Sequence, residues 1–411
     1  MQATSDENRA HYEGWRVVAA SGLGAYFTSI FVFTFGVLLK PLADEFTWSR
    51  QAISLAFGSM TLAVSLAAPI SGHVVDRFGP RWIVGPSLLA AAVSFGSLSI
   101  LSPHLWHLYV IYVAIGLASS GTSPVVYSRV VASWFDRYRG SAMALVIACI
   151  GLGAITHPLL TQTLTRAFGW RTACTGLALV IAVIGVPTVS RFVREPRFLS
   201  TPNTPGTSGT PGTQFSHALR SRVYWTLIVV VFGSTLSMNG VVVHLSVLLS
   251  DRGLAASQGV AALSTMGGAS LVGRLLTGRL LDRFNGTRVS FVLLTMAAAG
   301  TMVLAGAHTM LGGIIAAALI GFGTGGEVDV TPYLLSRYFG LRSLSTLYGF
   351  TWLAFGLAGV AGPILMGRAF DATGSYNTVL IGFAVVTFAV AVLMLTLPAD
   401  KVESAAHVSL L

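Results

Sequence analysis

Three ionisable residues stand inside otherwise apolar stretches: Arg274 in Leu271-Val-Gly-Arg274-Leu-Leu, and Glu327 with Asp329 in Gly325-Gly-Glu327-Val-Asp329-Val. An arginine there offers a planar, permanently charged fork that can take a carboxylate through two parallel hydrogen bonds. A carboxylic acid in the same surroundings can hold a proton, or serve as counter-ion to that fork while no ligand is bound. The chemistry within reach is recognition of a small organic anion and movement of a proton, with no covalent step. A permanent ion pair between Arg274 and one acid, tying two helices together, is the competing use of the same residues. In both cases the charges must meet a cavity or one another. Each costs roughly 2.5–3.5 kcal/mol if left alone at the centre of a bilayer, about 8–10 kcal/mol for the three.

Other polar groups in apolar stretches could complete such a site. Asn239 can donate to a carboxylate, and the imidazole of His244 can carry a proton or donate to the anion; a neutral histidine satisfied by a neighbouring helix is its bland reading. Among the aromatic residues with a polar handle, Tyr127, Tyr333, Tyr348 and Trp352 compete with Tyr26. Tyr127 and Tyr333 lie near the ends of their stretches, where rings anchor helices at the membrane surface, which leaves Tyr26 as the preferred substrate contact. His157 directly precedes Pro158 and suits a structural task, since proline frees a backbone carbonyl that an imidazole can satisfy.

These residues need long apolar elements to hold them, and the composition supplies little else. The chain has 411 residues, 54% hydrophobic and 10% charged. A soluble domain carries about 25% charged residues, so this chain cannot face water on all sides. Apolar runs predict twelve transmembrane helices, at roughly 16–39, 51–71, 82–101, 106–128, 141–164, 172–193, 223–249, 258–279, 289–307, 311–335, 345–367 and 376–397. The first lacks a following small-residue cleavage site and reads as an uncleaved span. If both termini are cytoplasmic, the inner segments hold 18 basic residues and the outer loops 6, a positive-inside bias that fixes this orientation. The net charge of +10 is then an orientation signal and implies no nucleic-acid partner. Arg274 is left over within a span, at a depth similar to that of the two acids. It lies five residues before Arg279, and Glu327 and Asp329 lie ten and eight before Arg337, which leaves them within about 8 Å in height. Being two residues apart, about 200° around a helix, the two acids cannot both point at Arg274.

An internal repeat organises the twelve spans. Gly72-His-Val-Val-Asp76-Arg77-Phe78 after the second span matches Gly278-Arg-Leu-Leu-Asp282-Arg283-Phe284 after the eighth, at an offset of 206. Phe135 matches Phe339 at 204, Gly151-Leu152 with Pro158 matches Gly356-Leu357 with Pro363 at 205, and Arg166-Ala-Phe168 matches Arg368-Ala-Phe370 at 202. Four matches in one order argue for a duplicated six-helix unit: residues 1–194 and 221–411. They are joined by a cytoplasmic linker, 195–220, whose middle is a Pro/Gly/Thr/Ser tract with nothing to bury. Parallel six-span repeats of this kind belong to transporters of the alternating-access type. Asp76, Arg77, Asp282 and Arg283 are expected to cap helix ends and bridge helices as gating residues, latching one conformation.

The Gly-x-x-x-Asp-Arg-x-Gly-x-Arg element of Gly72 to Arg81, with its degenerate copy at Gly278, resembles the signature of the major facilitator superfamily, and the likeness spans essentially the whole chain. The opening Glu13-Gly14-Trp15, with an arginine in the eighth span, resembles the monocarboxylate transporter group and its bacterial oxalate/formate relatives. That resemblance implies an all-α membrane protein and a proton-coupled symporter of a small monocarboxylate, with Arg274 as the carboxylate-binding residue. It further implies a monomer in a cell membrane, the inner membrane of a bacterium. In several members an acid or amide sits one turn before that arginine; here the position is Ser270, so Glu327 or Asp329 supplies the counter-charge, or the substrate differs. An exchanger or exporter of another small organic compound, drugs included, is the alternative on the same fold, and a non-transporting receptor the alternative of another class. Neither a metal-ligand cluster, a Walker loop nor a paired nucleophile and base occurs in any loop, so no enzyme, cofactor, metal or ATP drive is expected.

Overall fold

The computed structural model describes residues 2–136, 138–196 and 212–398. Most of the expected linker, 197–211, lies outside the described residues. The twelve long helices in chain order are α1 (Tyr12–Phe46, helical but for a turn at Thr34), α2 (Arg50–Phe78), α3 (Arg81–Ile100), α4 (Leu105–Trp134), α5 (Arg139–Phe168) and α6 (Trp170–Phe192). They continue as α7 (Arg222–Asp251), α8 (Ala256–Leu281), α9 (Gly286–Ala305), α10 (Met310–Phe339), α11 (Leu344–Thr373) and α12 (Asn377–Met394). Among the described residues, eleven are long and apolar enough to cross a membrane. The exception is α8, whose 26 residues suffice in length but are diluted by glycine, serine, threonine and the charge of Arg274.

Several helices outrun the apolar stretches that predict them. At 30 residues, α5 and α10 are about 45 Å long, against about 30 Å of hydrocarbon. The backbone satisfies itself inside a helix whatever its side chains, so the polar ends continue the ladder into the surface region. One consequence is a correction: Arg129, counted among the surface charges at the end of the fourth span, lies within α4 and is buried. Apolar side chains cover the outside of the helices. Leu62, Leu66 and Ile70 recur every fourth residue along α2 and are 48–68% exposed, an arrangement suited to lipid and not to water.

The chain forms two compact units. One is drawn from the described residues of Met1–Asp136, Leu145–Gly212 and Leu341–Trp352; within it α2 packs along α4, and α3 against α4 and α6. The other is drawn from those of Arg137–Ala144, Thr213–Gly340 and Leu353–Leu411; within it α8 packs along α10, and α9 against α10 and α12. The first turns of α5 thus belong with the second unit and the first turns of α11 with the first. In the second unit, Leu245, Leu248 and Leu249 of α7 and Met266 of α8 meet Ile320, Met366 and Phe383 in a continuous apolar core.

Glycines set how closely α8 and α10 approach. A Cβ on Gly321 would strike the carbonyl of Met266, one on Gly325 the carbonyl of Ser270, and one on Gly273 the carbonyl of Phe322. Small residues at every fourth place let two membrane helices touch backbone to backbone. Gly325→Ala is therefore expected to destabilise the protein by about 1–3 kcal/mol, through forced overpacking. Gly267→Ala on the open side of α8, where a Cβ meets nothing within 4 Å, should leave the thermal unfolding midpoint of the detergent-solubilised protein unmoved.

Candidate functional site

The glycine contact brings the charged residues of α8 and α10 to one level. One turn after Ser270 meets Gly325, the guanidinium of Arg274 faces Asp329, with Nε 3.8 Å from a carboxylate oxygen. Asp329 is 1% exposed, and neither of its oxygens accepts a hydrogen bond from the described residues. An ion pair built only to hold helices together would close to about 2.7–2.9 Å with two parallel hydrogen bonds. Between α8 and α10 the hydroxyl of Thr277, fully buried against Gly326, also lacks a partner among the described residues.

Glu327 points elsewhere, as its position two residues from Asp329 requires. Its carboxylate accepts a hydrogen bond from the Ser234 hydroxyl of α7 and is buried. So α10 presents one acid to α8 and the other to α7. Ser270, one turn before Arg274, packs against Gly325, and the acid that faces Arg274 stands on α10.

The two α7 residues expected at this level are not gathered there. Asn239 donates to the carbonyl of Thr235 in its own helix, and His244 approaches the carbonyl of Gly240 in the same way, at 3.3 Å. Five and ten residues beyond Ser234, they stand about 7 and 15 Å further along α7. The ring of His244 lies 5.8 Å from that of Tyr376, at the end of the unit away from Arg337.

Tyr26 is in the first unit, where its hydroxyl pairs with that of Thr156 at 3.0 Å and its ring lies 4.3 Å from His157. His157 meets the backbone carbonyl of Tyr26 at 2.9 Å, a carbonyl of α1 and not the one its neighbour Pro158 frees. Tyr127 and Tyr333 are fully buried and so are not surface anchors; Tyr333 donates to the carbonyl of Leu281.

The repeated motif makes the same contact twice. Asp76, at the end of α2, accepts from the backbone N–H groups of Ser345 and Thr346 at 3.1 and 2.7 Å and from the Thr346 hydroxyl at 2.6 Å. Asp282, at the end of α8, accepts from the N–H groups of Gly140 and Ser141 at 2.8 and 3.1 Å and from the Ser141 hydroxyl. Each carboxylate lies at the start of a helix, α11 or α5, whose first N–H groups have no partner within the helix and whose dipole favours a negative charge. Gly72 and Gly278 permit these approaches, since a Cβ on Gly72 would strike the carbonyl of Ser345 and one on Gly278 the side chain of Ala144.

Two arginines of the motif copies stand apart from the contact. Arg77 and Arg283 are exposed, and the guanidinium of Arg77 lies over the ring of Phe78 at 5.3 Å. Asp76 is bridged instead by Arg129, whose Nη1 is 2.6 Å from it and whose Nε is 2.6 Å from Glu195, with a third bond to the carbonyl of Leu341. Sequence reading missed Arg129 and Glu195. The signal for Arg129 was present, since Val125-Val-Tyr-Ser-Arg129-Val-Val sets it in an apolar run; Glu195 gave none, and neither did Ser234. Asp76→Asn strips one carboxylate from a buried guanidinium, a loss worth about 3–5 kcal/mol when no partner remains and less here because Glu195 does. A clear fall in thermal unfolding midpoint is expected for Asp76→Asn and none for Arg77→Gln.

Known proteins share the sequence pattern and the fold. The profile described as Major Facilitator Superfamily matches residues 21–363. Monocarboxylate transporter 13 of Bos taurus is 26% identical over 400 residues, covering 94% of this chain and 89% of its own. The uncharacterized MFS-type transporter YhjX of Escherichia coli is 25% identical over 340 residues, covering 80% and 82%. Among solved structures, the human organic anion transporter MFSD10 (TETRAN) shares the fold, with a TM-score of 0.73 at 15% identity over 93% of this chain and 99% of that one.

Proposed function

The chain belongs to the Major Facilitator Superfamily, and from that premise we propose that it moves a small monocarboxylate together with a proton by alternating access. It is a multi-pass membrane transporter and not an enzyme. Arg274 receives the substrate carboxylate, Asp329 holds the arginine's charge while the site is empty, and Glu327 carries the proton. The observation that carries this reading is the pair of Arg274 and Asp329: a 3.8 Å separation to a carboxylate with no hydrogen-bond donor of its own among the described residues. A loose pair can be exchanged for a bidentate pair with a ligand; a tight one would have to be broken first. Support for a monocarboxylate also comes from the relative in Bos taurus, whose name states that substrate class.

Asp76 and Asp282 serve as latches in this proposal. Each holds the first turn of a helix, α11 or α5, that divides between the two compact units. The proposed moving bodies are residues 1–194 and 221–411, with both termini in the cytoplasm.

The test is accumulation of labelled monocarboxylates by proteoliposomes under an inward proton gradient. The expected result is uptake above equilibrium that a protonophore abolishes, with competition by other monocarboxylates and none by uncharged analogues. Equal transport of an uncharged analogue would overturn the assignment of Arg274 as a carboxylate fork.

A further inference from the structure

At one end of the first unit, two arginines gather around one aromatic ring. Arg16 of α1 lies 5.8 Å from the centroid of Phe192, and Arg191, in the last turn of α6, lies 5.9 Å from it. The ring of Tyr12 holds Arg16 from a further side, at 5.4 Å. Neither guanidinium has an acidic partner among the described residues. Glu13, the acid nearest to Arg16 in sequence, is spoken for by Arg194 at 3.4 Å.

Beside these arginines runs a groove of about 280 Å³ between the two helices, lined by Arg16, Ala19, Ala20 and Leu23 of α1 and by Thr188 and Phe192 of α6. Its floor is apolar. The Thr188 hydroxyl is already bonded to the carbonyl of Ile184. From Arg16 to Leu23 is seven residues, about 10 Å along the helix, so the groove starts at the charged end of the span and descends into the hydrocarbon.

We infer that this groove is a binding site for an anionic glycerophospholipid, with the headgroup phosphate on Arg16 and Arg191 and an acyl chain along Ala19 and Leu23. The charge decides the class of lipid. Two cations without an acidic partner among the described residues favour a net negative headgroup, and with Glu13 engaged by Arg194 the described residues offer no free acid to receive the ammonium of a zwitterionic one. The aromatic rings lie 5.4–5.9 Å from the guanidinia and do not neutralise them, so both charges remain for a phosphate. The apolar floor distinguishes a lipid from free phosphate, which could use the arginines but not the groove. The site is independent of the substrate proposed for Arg274.

The test uses the full chain, purified in a neutral detergent and probed with phosphatidylglycerol, phosphatidylcholine and inorganic phosphate. Phosphatidylglycerol is expected to raise the unfolding temperature and to remain bound in native mass spectra. Arg16→Gln with Arg191→Gln should weaken that binding about tenfold or more, whereas Arg81→Gln, which removes an exposed charge elsewhere, should not. Should the double variant fail to fold, Ala19→Trp keeps both charges, fills the groove, and is expected to displace the lipid by itself. Equal stabilisation by phosphatidylcholine or by inorganic phosphate would overturn the inference, as would undiminished phosphatidylglycerol retention in both variants.

Discussion

Arg274→Lys is expected to cut proton-driven monocarboxylate uptake by about ten- to a hundredfold, because a point charge replaces a fork that makes two hydrogen bonds to an ionised group. Lysine keeps the charge and stays within reach of Asp329, so the protein should fold and the pair should persist. Loss of flux without loss of stability separates recognition from architecture. The neutral pair Arg274→Gln with Asp329→Asn completes the argument. It removes both charges together, leaves no buried ion unpaired, and should be close to the parent in thermal stability. Transport should nevertheless be abolished. Normal monocarboxylate flux in either protein would mean that Arg274 and Asp329 only join α8 to α10.

Glu327→Gln should uncouple transport from the proton gradient while leaving exchange intact. With one proton carried per anion, a step of one pH unit, about 1.4 kcal/mol, supports roughly tenfold accumulation. In Glu327→Gln that ratio should fall to about one, because glutamine cannot take up and release a proton. The amide oxygen can still accept from Ser234, so the contact between α10 and α7 survives and the variant should fold. Counterflow, in which unlabelled substrate on one side drives labelled substrate from the other, requires no net proton movement and should continue. If gradient-driven accumulation persists, the proton travels on another group, and Asp329→Asn is the next variant to measure.

Much of the membrane architecture was legible in the residues, because hydropathy is a local sum. Eleven of the twelve helices correspond to stretches apolar enough to cross a membrane. The twelfth, α8, was legible as an apolar run followed by the copy of the motif. The duplicated motif corresponds to a duplicated contact, since Asp76 and Asp282, 206 residues apart, cap helix starts at Ser345 and Gly140, 205 apart. The basic residues beside them misled. Arg77 and Arg283 follow the acids in sequence, but in a helix consecutive residues point about 100° apart, and the partner of Asp76 came from α4.

Sequence alone determined that this is a twelve-helix membrane protein, because burying apolar length and satisfying every backbone group inside lipid admits few solutions. It also determined that Arg274, Glu327 and Asp329 had to be accounted for, because charge in hydrocarbon is costly wherever the helices go. Only the tertiary structure decided the pairings: Asp329 with Arg274, Glu327 with Ser234, Asp76 with Arg129, and His244 and Asn239 with their own helix. Those choices depend on which helix faces meet and how closely. That is set by where glycines let two backbones touch, a property of two helices together that neither stretch of sequence contains by itself.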